Sequence, residues 1–291
     1  MVAWVWPSVL DQSYLLFLVI IFTVGIPHGA LDHIIYHQSR TRKEKSMVFF
    51  YFRYLGLIMV VGIFWLLLPV PSFIVFLLLS AYHFGQSQLY YVKGPVFLKH
   101  ILFIIWGTFL LSIMITMNFQ ECLTIFASLE WLQVHSWMSR GLWNIILLVS
   151  GIVLTSGFFY IMYAGFISKF RMILELVLLA AFVLLSAQTN VVFTFTIYFG
   201  LWHSLRSLVI EYDSLYQVIR NYSIQRFLKQ LMPFSILAIS FLIAVYYLSE
   251  AFIPGVSPYM LFIIIISTLT VPHLMIMYNL YRTYEGNFTK P

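Results

Sequence analysis

The sequence has little charge. Only 9% of its 291 residues are charged and 62% are hydrophobic, whereas about a quarter of the residues of a soluble domain are charged. Apolar stretches of roughly 20 residues, each long enough to cross the hydrocarbon core of a bilayer, recur along the chain. The sequence therefore predicts an all-α polytopic integral membrane protein with a single transmembrane domain over residues 1–291. An outer-membrane barrel would have shorter segments of alternating polarity.

Cysteine is also scarce. Cys122 is the only one, which excludes an internal disulfide and any cysteine-based metal or redox motif. The amino terminus lacks the charged region and small-residue cleavage site of a signal peptide, so we expect the first hydrophobic segment to remain in the protein. The net charge of +6 is spread over loops, where membrane topology accounts for it, and we expect no nucleic acid partner.

Hydrophobicity predicts about nine transmembrane helices in one bundle. Their expected ranges are 14–36, 48–68, 71–92, 96–117, 140–164, 171–188, 191–211, 231–250 and 258–281. Two longer connections separate some of these spans. Residues 118–139, with Leu123, Phe126, Trp131 and Trp137, are expected to form a helix at the membrane interface. Residues 212–230 are expected to be a polar connection of mixed charge.

The positive charges predict the orientation of these spans. With the amino terminus outside and nine alternating spans, 15 of the 16 Lys and Arg residues fall on the inside, and only Arg140 falls outside. The fifteen are Arg40, Arg42, Lys43, Lys45, Arg53, Lys93, Lys99, Lys169, Arg171, Arg206, Arg220, Arg226, Lys229, Arg282 and Lys290. We therefore expect a multi-pass protein with its amino terminus outside and its carboxy terminus in the cytoplasm.

Ionisable side chains within a membrane mark functional sites, and four histidines fall there. His28, His83, His203 and His273 lie in predicted spans 1, 3, 7 and 9, each somewhat past the middle of its span. These spans all run in the same direction, so four imidazoles converge in one layer if the helices are neighbours. A divalent cation would satisfy their acceptor nitrogens together, and imidazole suits iron, copper, zinc and nickel. The alternative is four separate structural histidines.

A metal-bound imidazole needs a partner for its second nitrogen. Asp32 lies one helical turn after His28 and is the first candidate for this role, and Glu175 is the second. His33, five residues after His28, either supports the ligands or faces another helix. The three remaining histidines, expected at the surface or the membrane interface, are His37, His100 and His135.

The histidine pattern argues against two other metal centres. Membrane di-iron desaturases use many histidines in HxxxH and HxxHH clusters, whereas this chain has one HxxxH, from His33 to His37, and no HxxHH. Haem proteins with two histidine ligands per haem commonly stack the ligand pairs at two depths. Four histidines at one depth suit a single small ion better.

Aromatic residues make up 19% of the chain, and several lie beside the histidines. Tyr82, Phe84, Tyr198 and Trp202 are candidates for lining a cleft that holds a long, flat, apolar substrate. Ordinary helix packing is the alternative for each of them.

Four motifs resemble those of the Brp/Blh family, the bacterial and archaeal membrane β-carotene 15,15'-dioxygenases. They are Gly-Ile-Pro-His-Gly-Ala-Leu-Asp-His at 25–33, Ala-Tyr-His-Phe-Gly at 81–85, Leu-Trp-His-Ser-Leu-Arg at 201–206 and Val-Pro-His at 271–273. They follow the order and approximate spacing of the family. The resemblance covers the chain from about residue 14 to about residue 281.

The resemblance implies an iron(II) enzyme that cleaves the central double bond of β-carotene with O2 and releases two molecules of retinal. It implies that His28, His83 and His203 are iron ligands and that His273 is the family's carboxy-terminal Pro-His. It also implies the cell membrane of a bacterium or archaeon, with a retinal-binding rhodopsin as a possible acceptor of the product.

This chain departs from many family members at two places. Ser207 stands where many members have a second histidine one turn after the Trp-His pair. Residues 86–88, Gln-Ser-Gln, stand where many have an acidic residue after His-Phe-Gly. The serine keeps open a second function, a carotenoid- or retinal-binding membrane protein with altered catalysis. A metal or proton transporter is a third, but it requires a polar path, and the even-numbered spans have few polar residues at depth apart from Glu175.

Overall fold

The computed structural model describes residues 7–38, 46–128, 133, 137–252 and 257–288. Within these residues the chain is helical and contains no β-strand. Eight helices of this part of the chain have the length and composition needed to cross a membrane: Ser13–Gln38, Met47–Leu67, Pro69–Leu89, Val96–Met117, Arg140–Tyr163, Lys169–Gln188, Ile224–Ser249 and Pro258–Tyr284. The all-α polytopic fold is therefore confirmed. Predictions about Arg40, Arg42, Lys43, Lys45, Trp131, His135 and Lys290 fall outside the described residues.

The first membrane helix is irregular in its middle. Helix α1 (Pro7–Ile20) continues through a π-helical turn (Ile21–Gly25) and a 3-10 turn (Pro27–Gly29) into α2 (Asp32–Gln38). The next helices are α3 (Met47–Leu67), α4 (Pro69–Leu89), α5 (Val96–Met117), α6 (Phe119–Ala127), α7 (Arg140–Tyr163) and α8 (Lys169–Gln188).

The seventh predicted span is helical but differs from the other eight. It consists of α9 (Val191–Phe195), a π-helical stretch (Thr196–Ser204) and α10 (Leu205–Val218). It does not qualify as an apolar span, because it carries polar side chains into the protein interior. His203, Ser207 and Glu211 on it are at most 1% exposed.

The expected long connection over 212–230 needs correction. Helix α10 extends to Val218, and α11 (Ile224–Phe252) begins soon after it. Leu215, Tyr222 and Phe227 are buried in one hydrophobic cluster with the last helix, α12 (Pro258–Phe288). The polar composition of residues 212–230 indicates a loop, but most of the stretch is helical and these apolar residues are buried in the bundle.

The connection expected to form an interfacial helix contains a shorter helix, α6. Its residues Phe119, Cys122 and Phe126 are buried against Trp65 and Phe73 of the bundle, and Trp137 farther along the connection is 68% exposed. The location of α6 at a membrane interface stays a prediction.

Two hydrophobic clusters flank the histidines along three of the helices. Tyr198 and Phe199 belong to the first cluster and Ile210 and Leu215 to the second, with His203 between them in the sequence. His28 lies in the same way between Ile21 and Leu31, and His273 between Phe262 and Ile276. Apolar packing on both sides therefore keeps these histidines away from water.

Helices α4 and α5 pack backbone to backbone next to His83. A Cβ atom on Gly85 would lie 1.9 Å from the carbonyl oxygen of Phe103, and one on Gly107 would lie 1.9 Å from that of Ala81. Small residues permit such close approach between membrane helices, where van der Waals packing drives association. The glycine pair thus sets the position of the helix that carries His83.

We expect Gly107→Ala to destabilise the protein, because α4 and α5 must separate to admit the methyl group. Overpacking costs about 1–3 kcal/mol, and a clash with backbone lies at the upper end of that range. Gly62→Ala on α3 is the matched control, since nothing lies within 4 Å of its added Cβ and alanine favours a helix by about 1 kcal/mol. Thermal unfolding in detergent measures both. Equal melting temperatures for the two variants would contradict this packing.

Candidate metal centre

The four intramembrane histidines lie next to one another inside the bundle. The ring centroids of neighbours are 5.4 Å apart for His28 and His203, 4.8 Å for His203 and His83, 5.2 Å for His83 and His273, and 4.9 Å for His273 and His28. All four are buried, with at most 6% of each residue exposed. We call these four residues the histidine cluster. The convergence expected from their equal depth is present.

The 3-10 turn that begins at Pro27 explains how His28 is held. Proline has no N–H and interrupts the regular hydrogen bonding of the helix. The N–H of Gly29 bonds to the carbonyl of Ile26 at 3.3 Å and leaves the carbonyl of Gly25 to another donor. The Nδ1–H of His28 donates to that carbonyl. The proton is therefore on Nδ1, and the Nε2 lone pair of His28 is available to a ligand.

A serine of the neighbouring helix α4 holds His203. The hydroxyl of Ser87 donates to the carbonyl oxygen of Phe84 at 3.0 Å, so its oxygen accepts from Nδ1–H of His203 at 2.9 Å. His203 lies in the π-helical stretch, where wide turns such as this one often occur at functional sites. Here too the proton is fixed on Nδ1.

A carboxylate holds His273. Its Nδ1–H donates to Asp32, 2.9 Å from Oδ1 and 3.1 Å from Oδ2. The hydroxyl of Tyr54 on α3 donates to Oδ2 of the same carboxylate at 2.8 Å. Asp32 thus meets a histidine as expected, on helix α12 rather than on its own helix.

The free nitrogens of the cluster fit a metal ion. Nε2 of His203, Nε2 of His273 and both ring nitrogens of His83 are buried without a hydrogen-bond partner in the described part of the protein. Unpartnered polar atoms are costly in an apolar interior, and a cation bound by imidazole nitrogens would satisfy them. His28, His83 and His203 each place a nitrogen within 4.8 Å of the others. His273 adjoins this triad but is not part of it.

Two predicted supporting residues have other partners. Glu175 accepts from Nε2 of Gln88 at 2.9 and 2.7 Å and from the hydroxyl of Tyr91 at 2.7 Å, so its bonds are to an amide and a phenol instead of an imidazole. His33 packs against Phe234 of α11, with ring centroids 4.2 Å apart. Of the two alternatives for His33, this contact agrees with the one in which it faces another helix.

The remaining described histidines lie outside the cluster. His37 is exposed at the end of α2, as expected. His100 is half-buried and shares a 2.8 Å hydrogen bond with the hydroxyl of Tyr82.

The four predicted substrate-lining aromatics divide into two groups. The ring centroids of Phe84 and Tyr198 lie 4.8 and 6.4 Å from that of His203, so both border the cluster. Tyr82 instead stacks on His100, and the indole N–H of Trp202 donates to Oε1 of Gln88 at 2.9 Å. Phe199 also borders the cluster, 5.6 Å from His28 and 5.8 Å from His203.

Sequence reasoning missed Ser87 and Tyr54. Ser87 follows His83 by one helical turn, as Asp32 follows His28, and this spacing was the signal that could have identified it. Nothing in the sequence relates Tyr54 to Asp32, because their contact depends on how α3 packs against α2.

The chain also matches a known sequence family. The family described as beta-carotene 15,15'-dioxygenase matches residues 19–281, a range that includes every histidine of the cluster as well as Asp32 and Ser87. No curated protein and no solved structure matches the chain. The family match agrees with the resemblance carried by the four histidine motifs. The chain belongs to the β-carotene 15,15'-dioxygenase family.

Proposed function

We propose that the protein is an iron(II)-dependent dioxygenase that cleaves the central double bond of β-carotene with O2 to give two molecules of retinal. The observation that carries the proposal is the histidine cluster, whose buried nitrogens converge between the helices of a chain from this family. A purely structural role would leave several of these nitrogens unsatisfied in a dry interior.

His28, His83 and His203 would hold the iron, because their nitrogens already lie within 4.8 Å of one another. His273 would act as the fourth ligand from the adjoining position. Bound iron supplies the redox chemistry that a reaction with O2 requires. The Nδ1–H groups of His28, His203 and His273 donate to Gly25, Ser87 and Asp32, which would leave their Nε2 lone pairs for a metal.

Asp32 would serve the centre in two ways. Its carboxylate orients His273, and its negative charge offsets part of the charge of a divalent ion held by neutral imidazoles. Tyr54 in turn holds the carboxylate, at 2.8 Å. The buried position of Asp32, 3% exposed, strengthens both effects because the surroundings have a low dielectric constant.

The surroundings of the cluster suit an apolar substrate. Phe84, Tyr198 and Phe199 border the histidines and exclude water from them. A carotenoid is about as apolar as a lipid chain, so it can reach such a site from the bilayer. No acid or nucleophile of the protein is required to attack the double bond, since O2 is the co-substrate.

Ser207 bears on the second candidate, a binding protein without catalysis. Its hydroxyl is hydrogen-bonded to that of Tyr281 at 3.2 Å, whereas His273 completes a group of four imidazoles. The cluster therefore contains four imidazoles without the histidine that many family members have at position 207, and this favours the enzyme.

We further propose that the protein lies in the cell membrane of a bacterium or archaeon, with the amino terminus outside, and that a retinal-binding rhodopsin accepts the product. The distribution of Lys and Arg supports this orientation.

Expression in a β-carotene-producing bacterium tests the activity. We expect the orange colour to fade and retinal to accumulate. His83→Ala should abolish both effects, because it removes one of the three nitrogens of the triad. His37→Ala, which changes an exposed histidine, should leave them intact. Unchanged colour in cells that contain folded, iron-loaded wild-type protein would contradict the activity and favour a binding protein.

Asp32→Asn tests the role of the carboxylate. It keeps the shape of the side chain and removes its charge, so we expect a folded protein that binds iron on the order of 10–100-fold more weakly, the usual effect of losing a partner of a ligand. Ser207→Ala is the matched control, with little expected change. Iron titration of the purified variants measures both. Equal iron affinity in Asp32→Asn and the wild type would remove Asp32 from the site.

A reporter fused after Pro291 tests the orientation. We expect a cytoplasmic reporter to be active and a periplasmic one to be inactive, because the positive-inside distribution places the carboxy terminus in the cytoplasm. Activity of the periplasmic reporter alone would reverse the assignment.

A further inference from the structure

A cationic cavity of about 350 Å³ lies where α4 ends and α8 begins. Two basic residues line it: Arg171 in the first turn of α8 and Arg206 on α10. Arg206 donates to Oε1 of Gln88 at 2.7 Å and to its backbone carbonyl at 3.3 Å. The guanidinium carbon of Arg171 lies 5.1 Å from the ring centroid of Tyr91, and that of Arg206 lies 5.5 Å from the ring centroid of Tyr90. All these partners are neutral.

The cavity keeps an excess of positive charge. Among the described residues, neither arginine forms an ion pair with a carboxylate. The acidic side chain in the cavity wall is Glu175, which is only 3% exposed. Both of its oxygens already accept hydrogen bonds, from Gln88 and from Tyr91. Two arginines therefore share one carboxylate, whose hydrogen bonds go to Gln88 and Tyr91, and the remaining positive charge attracts an anion.

The apolar walls of the cavity identify the kind of anion. Leu174 and Leu178 lie one and two helical turns beyond Arg171, and Trp202 lies one turn before Arg206. Leu174 and Trp202 are 37% and 38% exposed on the outside of the bundle. From the arginines, the lining thus continues along membrane-spanning helices over apolar side chains that face the lipid. An anionic phospholipid has the same order, a charged head group followed by an apolar acyl chain. A soluble anion would contact only the arginines and not the apolar lining.

We propose that this cavity binds the phosphate group of an anionic phospholipid between Arg171 and Arg206. Arginine forms forked hydrogen bonds with phosphate oxygens, and basic pockets between membrane helices bind anionic head groups. The site is separate from the histidine cluster and does not depend on the metal or on the proposed reaction.

Native mass spectrometry of the purified protein tests the proposal, with phosphatidylglycerol and phosphatidylcholine of identical acyl chains as probes. We expect retention of one phosphatidylglycerol and little phosphatidylcholine. Arg171→Gln should weaken retention on the order of five-fold, the effect of one basic residue near anionic lipid. Arg171→Lys should restore most of it. Lys169→Gln removes the same charge from the same helical turn outside the cavity, and it should change nothing.

Val209→Trp provides a second test, because it fills the cavity without changing its charge. It should also reduce retention, while gel filtration and the melting temperature check that the variant is folded. Three results would overturn the proposal: equal losses in Lys169→Gln and Arg171→Gln, equal retention of the two lipids, or displacement of phosphatidylglycerol by millimolar inorganic phosphate. The last result would assign the cavity to a soluble anion.

Discussion

The hydrogen-bonding needs of imidazole in a dry interior are the constraint on which this site depends. Each neutral histidine has one nitrogen that donates and one that accepts, and neither can turn to water in the core of the bundle. The Nδ1 protons of His28, His203 and His273 go to three different acceptors: a backbone carbonyl, a hydroxyl and a carboxylate. These bonds leave Nε2 of His203 and Nε2 of His273 without a partner in the described part of the protein, so the cluster could accept a cation.

Each of these acceptors exists because a helix departs from regularity or packs closely against another. The 3-10 turn at Pro27–Gly29 shifts the N–H of Gly29 to the carbonyl of Ile26 and frees the carbonyl of Gly25 that holds His28. A π-helical stretch contains His203, and close packing of α4 and α5 at Gly85 and Gly107 fixes the helix that carries His83 and Ser87. The helices that carry His28 and His203 depart from regular α-helical hydrogen bonding near these residues. Such departures are common at functional sites. Local sequence thus determines local backbone, which determines where the ligands lie.

The sequence predicts the fold well because a membrane restricts the choices. Long apolar runs can only be helices, and helices threaded in one direction bring residues at equal depth into one layer. The four histidines can therefore be identified from their positions in the hydrophobic segments alone. Asp32 can be found for a similar reason, since spacing along one helix is visible in the sequence.

The features that the sequence could not predict are contacts between helices and the ends of helices. The chemistry of His33 and Glu175 suits the site, but the directions of their side chains depend on packing against α11 and α4. The polar residues after residue 211 indicate a loop, whereas buried Leu215 and Tyr222 continue the packing of the bundle. The cationic cavity between Arg171 and Arg206 is hidden in the sequence, where these two residues serve only as markers of topology.

The assignment of function combines a family with a geometry. The family supplies the substrate class, and the cluster supplies buried nitrogens that could hold a metal ion beside aromatic side chains. A transporter would need a polar path beyond the histidines, but on one side, in the described structure, Phe84 and Phe199 border them. An apolar substrate that arrives from the bilayer is consistent with these surroundings.

X-ray absorption spectroscopy of the purified protein, loaded with iron(II) in the absence of oxygen, tests the central claim most directly. The account predicts a first shell of nitrogen atoms with the outer-shell scattering of imidazole rings, and a weaker imidazole contribution in His83→Gln. A spectrum without imidazole scattering, or one that His83→Gln leaves unchanged, would contradict the histidine cluster as the metal centre.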